Sequence, residues 1–106
     1  MGWARALKSA ELPTGEARVC AVNGERIVLC RVDKGEVYAV EDSCSHDDGP
    51  LGEGTLVDNV IECPRHGARF DVRSGAALRM PAASPIETFR ARIVDEWIEV
   101  ELEEGP

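Results

Sequence analysis

Apolar and polar side chains alternate along several short segments of this chain, and no segment has the spacing of an amphipathic helix. In the last segment Ile98, Val100 and Leu102 share one parity, while glutamates occupy the positions between them. A period of two is that of a strand with one buried face. The pattern predicts strands at residues 3–7, 19–22, 27–32, 37–40, 55–57, 60–62, 68–71, 89–94 and 97–102.

The Asn23-Gly24 pair separates two of these segments and is a strong signal for a two-residue hairpin turn. Such a turn pairs Cys20 with Ile27, and Cys30 then has the opposite parity to Ile27. Cys20 and Cys30 should therefore lie on opposite faces of the sheet and form no disulfide. We expect both to be buried as small apolar side chains.

Short strands at regular spacing, with turn residues between them, predict an all-β fold, an antiparallel sandwich or barrel. At 106 residues the chain is expected to form one domain, residues 1–106. Within it, two loops should interrupt a small hairpin subdomain at about residues 43–71. The proline-rich stretch 80–85 is expected to be a loop, because proline is excluded from central strands.

Two Cys-His pairs give the chain its candidate chemistry. Cys44 and His46 lie in the first predicted loop, Cys63 and His66 lie in the second, and sixteen residues separate His46 from Cys63. Thiolate and imidazole are the ligands of iron–sulfur and zinc sites. A set in which each loop supplies one of each is typical of a Rieske 2Fe–2S centre, where two Cys bind one iron and two His bind the other.

A structural zinc site is the alternative reading of the same residues. Zinc fingers usually pair Cys with Cys and His with His, as C-x₂₋₄-C followed by H-x₃₋₅-H. This chain instead has Cys-x-His followed by Cys-x-x-His, with Gly49-Pro50 and Pro64 in the loops. The spacing favours one 2Fe–2S cluster, and zinc remains the lesser option.

Three motifs surround these ligands: Cys44-Ser-His46, Asp48-Gly-Pro-Leu51 and Cys63-Pro-Arg-His66-Gly-Ala-Arg-Phe70-Asp71. With them the chain resembles the Rieske-type ferredoxins of bacterial ring-hydroxylating oxygenase systems. The resemblance implies a non-catalytic one-electron carrier of low potential that takes electrons from an NAD(P)H-dependent flavin reductase. Its acceptor would be a terminal Rieske non-haem iron oxygenase. It also implies that the two His-bearing loops meet at one exposed tip.

Three other functions are alternatives to electron transfer to an oxygenase. A complete Rieske oxygenase also needs a mononuclear iron on two further histidines, and His46 and His66 are the only histidines in the chain. An electron-transfer subunit of another reductase, such as a nitrite reductase small subunit, resembles this fold but often lacks the ligands. A structural zinc module that mediates protein contacts is the third possibility.

The formal charge of the chain is −8, which argues against nucleic acid and suits a basic surface on a protein partner. No segment approaches the ~20 apolar residues of a membrane helix, and no signal peptide is evident. We therefore expect a cytoplasmic monomer whose remaining cysteines are reduced.

The reduction potential is expected to be low because two features of high-potential Rieske proteins are missing. Those proteins resemble one another in a loop disulfide, whose positions here are Gly49 and Arg65, and in a hydroxyl where this chain has Ala68. Around the tip we expect a small mixed contact rim. Its members would be Asp47, Asp48, Leu51, Pro64, Arg65 and Pro81. Trp3 and Trp97 are expected to be core or strand-face aromatics rather than electron relays.

Overall fold

The computed structural model describes residues 2–43, 51–64, 67–80 and 84–102. These residues form ten strands and two short 3₁₀ helices, with no α-helix among them. None of them forms a helix long and apolar enough to cross a membrane. The 3₁₀ helices are Ser9–Glu11 and Asp33–Gly35. The strands are β1 (Gly2–Lys8), β2 (Ala17–Val22), β3 (Glu25–Arg31), β4 (Val37–Glu41), β5 (Thr55–Val57), β6 (Val60–Glu62), β7 (Arg69–Asp71), β8 (Ala77–Arg79), β9 (Thr88–Val94) and β10 (Trp97–Leu102).

Six strands make an antiparallel sheet in the order β1-β10-β9-β4-β3-β2. β1 also approaches β2, so the sheet curls until its two edges come close. The concave side holds the first apolar cluster, which the alternation of β10 predicted. Its buried members are Leu12, Val22, Ile27, Leu29, Ala39, Ile98, Val100 and Leu102.

A second antiparallel sheet, β5-β6-β7-β8, packs on the other face of the first sheet at β3 and β4. Val28 and Val40 from the first sheet meet Ile61 and Phe70 from the second, and all four are fully buried. The predicted all-β fold is confirmed. The single-domain span and the subdomain bounds at about 43–71 stay predictions. β8 was not predicted, because Ala77-Leu78-Arg79 contains no β-branched or aromatic residue to indicate a strand.

The first hairpin has the predicted register, with Asn23 and Gly24 at φ +50° and +83° and Cys20 opposite Ile27. Cys30 is buried between the two sheets, whereas Cys20 packs against the concave cluster. The two thiols therefore lie on opposite faces, as predicted. Cys20 is only partly buried, so the expectation of full burial was wrong for it, because β2 is an edge strand of the sheet.

Both tryptophans lie on the outer faces of strands, where cationic side chains cover them. The Arg92 guanidinium lies 3.9 Å from the centroid of the Trp3 ring, and that of Arg5 lies 5.1 Å from the centroid of the Trp97 ring. Such stacking is worth about 0.5–1 kcal/mol at an exposed site. The interpretation of Trp3 and Trp97 as strand-face aromatics is confirmed.

Candidate metal centre

Cys63 is the one predicted ligand that lies within the described residues; Cys44, His46 and His66 lie outside them. Cys63 follows β6 directly and is 1% exposed. Its N–H donates to the carbonyl of Ala68 at 2.7 Å, and its own carbonyl accepts from the N–H of Gly67 at 3.1 Å. Gly67 has φ +74°, a conformation that favours glycine. These bonds close the second loop at its base and fix the backbone of Cys63.

The surroundings of the Cys63 thiol are apolar. The cluster between the sheets includes Cys63, Leu51, Ala68 and Phe70, each 1% exposed or less. Leu51 was expected on the contact rim and is instead fully buried, because its side chain packs in the core between the two sheets. Pro64 is exposed, as a rim residue should be.

The first loop begins and ends against the same carboxylate. Asp42 precedes the loop and Gly52 follows it, and the Gly52 N–H donates to Asp42 Oδ1 at 2.8 Å. The N–H of Gly54 donates to the Leu51 carbonyl at 2.9 Å, which makes a tight turn after the loop. Sequence reasoning did not predict these contacts. It missed Asp42, whose position next to the first loop was the available signal.

The same turn lies directly on the strand that leads to Cys63. A Cβ added to Gly54 would come within 2.0 Å of the carbonyl oxygen of Glu62, the residue before Cys63. Only glycine allows this approach of the two backbones. The described residues that follow the first loop and precede the second are therefore in contact at one end of the second sheet.

Three charged side chains lie beside the Gly54–Glu62 contact, here called the loop junction, on the outer face of the second sheet. Glu62 Oε1 accepts from Arg69 Nε at 2.9 Å and lies 3.8 Å from Arg79 Nη1. All three side chains are more than a third exposed, so each pair contributes at most about 1 kcal/mol. Their effect is to connect β6, β7 and β8 next to Cys63.

The two other cysteines in the described part are poor ligand candidates. Burial raises the pKa of the Cys30 thiol to about 12, and burial likewise raises the pKa of Cys20. A metal ligand must be a thiolate, which a raised pKa disfavours. They also lie on opposite faces of the first sheet, apart from the loop junction.

A Rieske cluster fits the part of the site that is described. Cys63 supplies a buried thiol on a backbone fixed by two hydrogen bonds, and a glycine contact brings the other loop to it. Within the described ranges no group of three or more His, Cys, Asp or Glu side chains is placed to hold a metal ion. Because three of the four predicted ligands lie outside those ranges, the complete set stays a prediction.

Residues 2–90 match the family model described as the Rieske [2Fe-2S] domain, so the chain belongs to this family. It binds one 2Fe–2S cluster and serves as an electron carrier rather than as a catalytic enzyme. Among curated relatives, the biphenyl 2,3-dioxygenase ferredoxin component of Rhodococcus jostii (strain RHA1) is 39% identical, over 99% of this chain and 97% of its own length. The family resemblance seen in the loop motifs is thereby confirmed.

Solved structures agree with this assignment. The ferredoxin of carbazole 1,9a-dioxygenase from Nocardioides aromaticivorans IC177 matches with a TM-score of 0.91 and 30% identity, over 97% of this chain and all of that one. A chain in a complex of reduced oxygenase and oxidized ferredoxin in carbazole 1,9a-dioxygenase matches with a TM-score of 0.85 and 31% identity, over 95% of this chain and 97% of that one. A nitrite reductase NADPH (small subunit) oxidoreductase protein shares the fold, at 20% identity and a TM-score of 0.82, over 96% of this chain and all of that one.

Proposed function

We propose that this protein carries single electrons from an NAD(P)H-dependent flavin reductase to the terminal oxygenase of a ring-hydroxylating system. The observation that carries the proposal is the buried Cys63 at the start of the second loop, in a chain that matches a dioxygenase ferredoxin component along nearly its whole length. A structural relative comes from a complex of oxygenase and ferredoxin, which supports an oxygenase as the acceptor. The protein would work as a cytoplasmic monomer without nucleic acid or membrane partners.

Four residues are proposed to hold the cluster: Cys44 and Cys63 on one iron, His46 and His66 on the other. When bound, a 2Fe–2S cluster accepts and donates one electron. The chain's own residues have two tasks that the described part supports. Hydrogen bonds to Ala68 and Gly67 fix the Cys63 backbone, and the apolar side chains of Leu51 and Phe70 keep water from its sulfur side.

The first prediction tests the ligand set. Purified protein should contain about two irons and two sulfides per chain and give a Rieske EPR signal. His66→Cys should remove or transform that signal, because a thiolate would replace the neutral imidazole proposed to bind one iron. Cys20→Ala is the matched control and should leave metal content and signal unchanged. Protein that binds only zinc when iron is plentiful would contradict the proposal and favour the structural zinc module.

The partner assignment has its own experiment. A flavin-dependent ferredoxin reductase with NAD(P)H should reduce the bound cluster, and the reduced protein should then pass electrons to a ring-hydroxylating oxygenase and support substrate turnover. Omitting this protein is the control and should stop turnover. If the cluster were reduced but supplied electrons only to a nitrite reductase, the small-subunit alternative would replace this proposal; the neighbour of that name shows the shared fold alone.

A further inference from the structure

We infer that Asp42 is a positioning residue that holds the two ends of the first ligand loop together and so fixes Cys44 and His46 relative to Cys63. The inference rests on the proposed ligand set. Asp42 immediately follows β4 and precedes Cys44 by two residues, while Gly52 lies on the far side of the loop. The Asp42 carboxylate spans this gap of ten positions with one hydrogen bond to the Gly52 N–H.

The Asp42 side chain is buried to an extent that is unusual for a carboxylate. It is 1% exposed, although its partner Arg26 is 67% exposed. Oδ2 accepts from Arg26 Nε at 3.1 Å and from Nη2 at 2.9 Å, and Oδ1 accepts from Gly52. The Asp42 N–H in turn donates to the Arg26 carbonyl at 3.2 Å. A buried carboxylate is tolerated only when it is paired and hydrogen-bonded, so this one is held in a single position.

Gly52 also packs tightly against the first sheet. A Cβ at this position would lie 2.0 Å from Val19 Cγ2 and 3.3 Å from Val28 Cγ2, so the backbone after the loop is seated directly on β2 and β3. Two residues later, Gly54 contacts the carbonyl of Glu62. The loop end is thus held on one side by Asp42 and on the other by the strand that leads into Cys63.

Closing the loop at its base reduces the number of conformations that must be ordered when the cluster binds. A free loop between Asp42 and Gly52 would place two of the four ligands variably. The Asp42–Gly52 hydrogen bond bridges the two ends of the loop. This bridge preorganises the ligands, as supporting residues of functional sites do. Removal of the bridge should therefore loosen the cluster without disturbing the two apolar cores.

Three variants separate the bridge from the charge. Asp42→Ala removes both the Gly52 acceptor and the charge. The double variant Asp42→Asn with Arg26→Leu keeps an oxygen for the Gly52 N–H but has no buried charge pair. Arg92→Leu is the matched control, since Arg92 makes a similar ion pair at 2.7 Å with Glu99 on the outer face of β9 and β10.

The measurements are the rate of cluster bleaching in excess chelator, the EPR spectrum of the reduced protein, and the urea midpoint of unfolding. Asp42→Ala should release iron about tenfold faster than wild type, because loss of hydrogen bonds to a charged group is expensive in a buried site. Its EPR lines should broaden as the loop samples several geometries. The double variant should stay within about twofold of wild type and keep narrow lines, and Arg92→Leu should do the same.

The inference is wrong if Asp42→Ala bleaches at the wild-type rate with unchanged EPR lines. It is also wrong if the double variant bleaches as fast as Asp42→Ala, since the charge rather than the bridge would then matter. Should Asp42→Ala fail to assemble a cluster, the double variant decides: normal assembly supports the bridge and failure overturns it. Wild-type protein without iron and sulfide would instead contradict the proposed function.

Discussion

Ala68 is the residue whose identity should set the reduction potential most directly. It is fully buried, and its carbonyl accepts from the N–H of Cys63, so the residue lies next to the ligand's backbone. A serine there could donate a hydrogen bond that favours the reduced, more negative cluster. We expect a wild-type midpoint near the low end of the Rieske range, around −150 mV.

Ala68→Ser should raise that midpoint by about 50 mV, because about 1.4 kcal/mol corresponds to about 59 mV for one electron. A redox titration followed by EPR measures the change. Cys20→Ser is the control and should not shift the midpoint, since Cys20 packs against the other apolar cluster. A wild-type midpoint above roughly +100 mV would show that the missing hydroxyl does not control the potential.

Cys30 gives a pH dependence of stability whose sign follows from its burial. Burial raises the pKa of this thiol to about 12, from about 9 in the unfolded chain. The folded state therefore keeps a proton that the unfolded state loses, and the stability from Cys30 is complete below pH 9 and is lost as pH rises toward 12. Between pH 8 and about 10.5 the free energy of unfolding should fall by about 2 kcal/mol on this account.

Urea unfolding of Cys30→Ala over the same pH range should show a fall smaller by that amount, even if its stability at pH 8 is lower. Cys20→Ala is the comparison, and its slope should change less because Cys20 is only partly buried. If the free energy of unfolding fell equally with pH in wild type and Cys30→Ala, the Cys30 thiolate would have to be exposed to solvent in the folded state.

The residues that hold the site differ in how visible they were in the sequence. Cys63 was predicted as a ligand from its spacing with three other candidate ligands, because metal sites require particular side chains at short intervals. Asp42 and the burial of Leu51 were not predicted, because they depend on contacts with β3 and with the second sheet, which no local pattern encodes. A carboxylate next to a turn looks like any solvated acid until its partners are known.

At the scale of elements, the two glycines of the turn after the first loop, Gly52 and Gly54, should respond differently to substitution. A Cβ at Gly54 meets the backbone carbonyl of Glu62, which cannot move without breaking the β5–β6 pairing. A Cβ at Gly52 meets the Val19 side chain most closely. Overpacking of this kind costs about 1–3 kcal/mol.

Gly54→Ala should therefore lower both the unfolding free energy and the cluster content, and no single side-chain truncation should restore them. Gly52→Ala should also be destabilised, but addition of Val19→Ala should recover part of the loss by making room for the new methyl group. Urea midpoints and iron content of the single and double variants measure this. If Val19→Ala failed to improve Gly52→Ala, the loss would have to come from the Asp42 contact at 3.2 Å or the Val28 contact at 3.3 Å.

Strands were predictable where alternation, β-branched residues or a turn signal indicated them, and β8 had none of these. β10 alternates along its whole length because one face lines the concave cluster and the other faces outward. The first hairpin was specified by Asn23-Gly24, whose positive φ angles few other pairs adopt readily. β8 has no β-branched or aromatic residue to indicate a strand, so its pairing with β7 depends on tertiary context.

At the scale of the molecule, the charge of −8 is unevenly distributed. Four of the chain's twelve cationic residues surround the two tryptophans on the outer faces of β1 and β9: Arg5, Lys8, Arg90 and Arg92. The rest of the molecule is correspondingly more acidic. An acidic surface around the loops would attract a basic docking site on a redox partner over about one Debye length.

Reduction by an NAD(P)H-dependent flavin reductase should therefore slow as salt is raised from about 0.05 to about 0.5 M, because the Debye length falls from above 10 Å to a few ångström. Asp48→Lys in the first loop, outside the described residues, should slow it further at low salt and leave the cluster spectrum intact.

Asp33→Lys is the matched control: it changes the net charge equally, from −8 to −6, at the end of β4 that is opposite the loop. Stopped-flow rates under association-limited conditions make the comparison. Equal slowing by both variants would show that overall charge governs the encounter, and no response to salt or to either variant would assign docking to the apolar contacts of the tip.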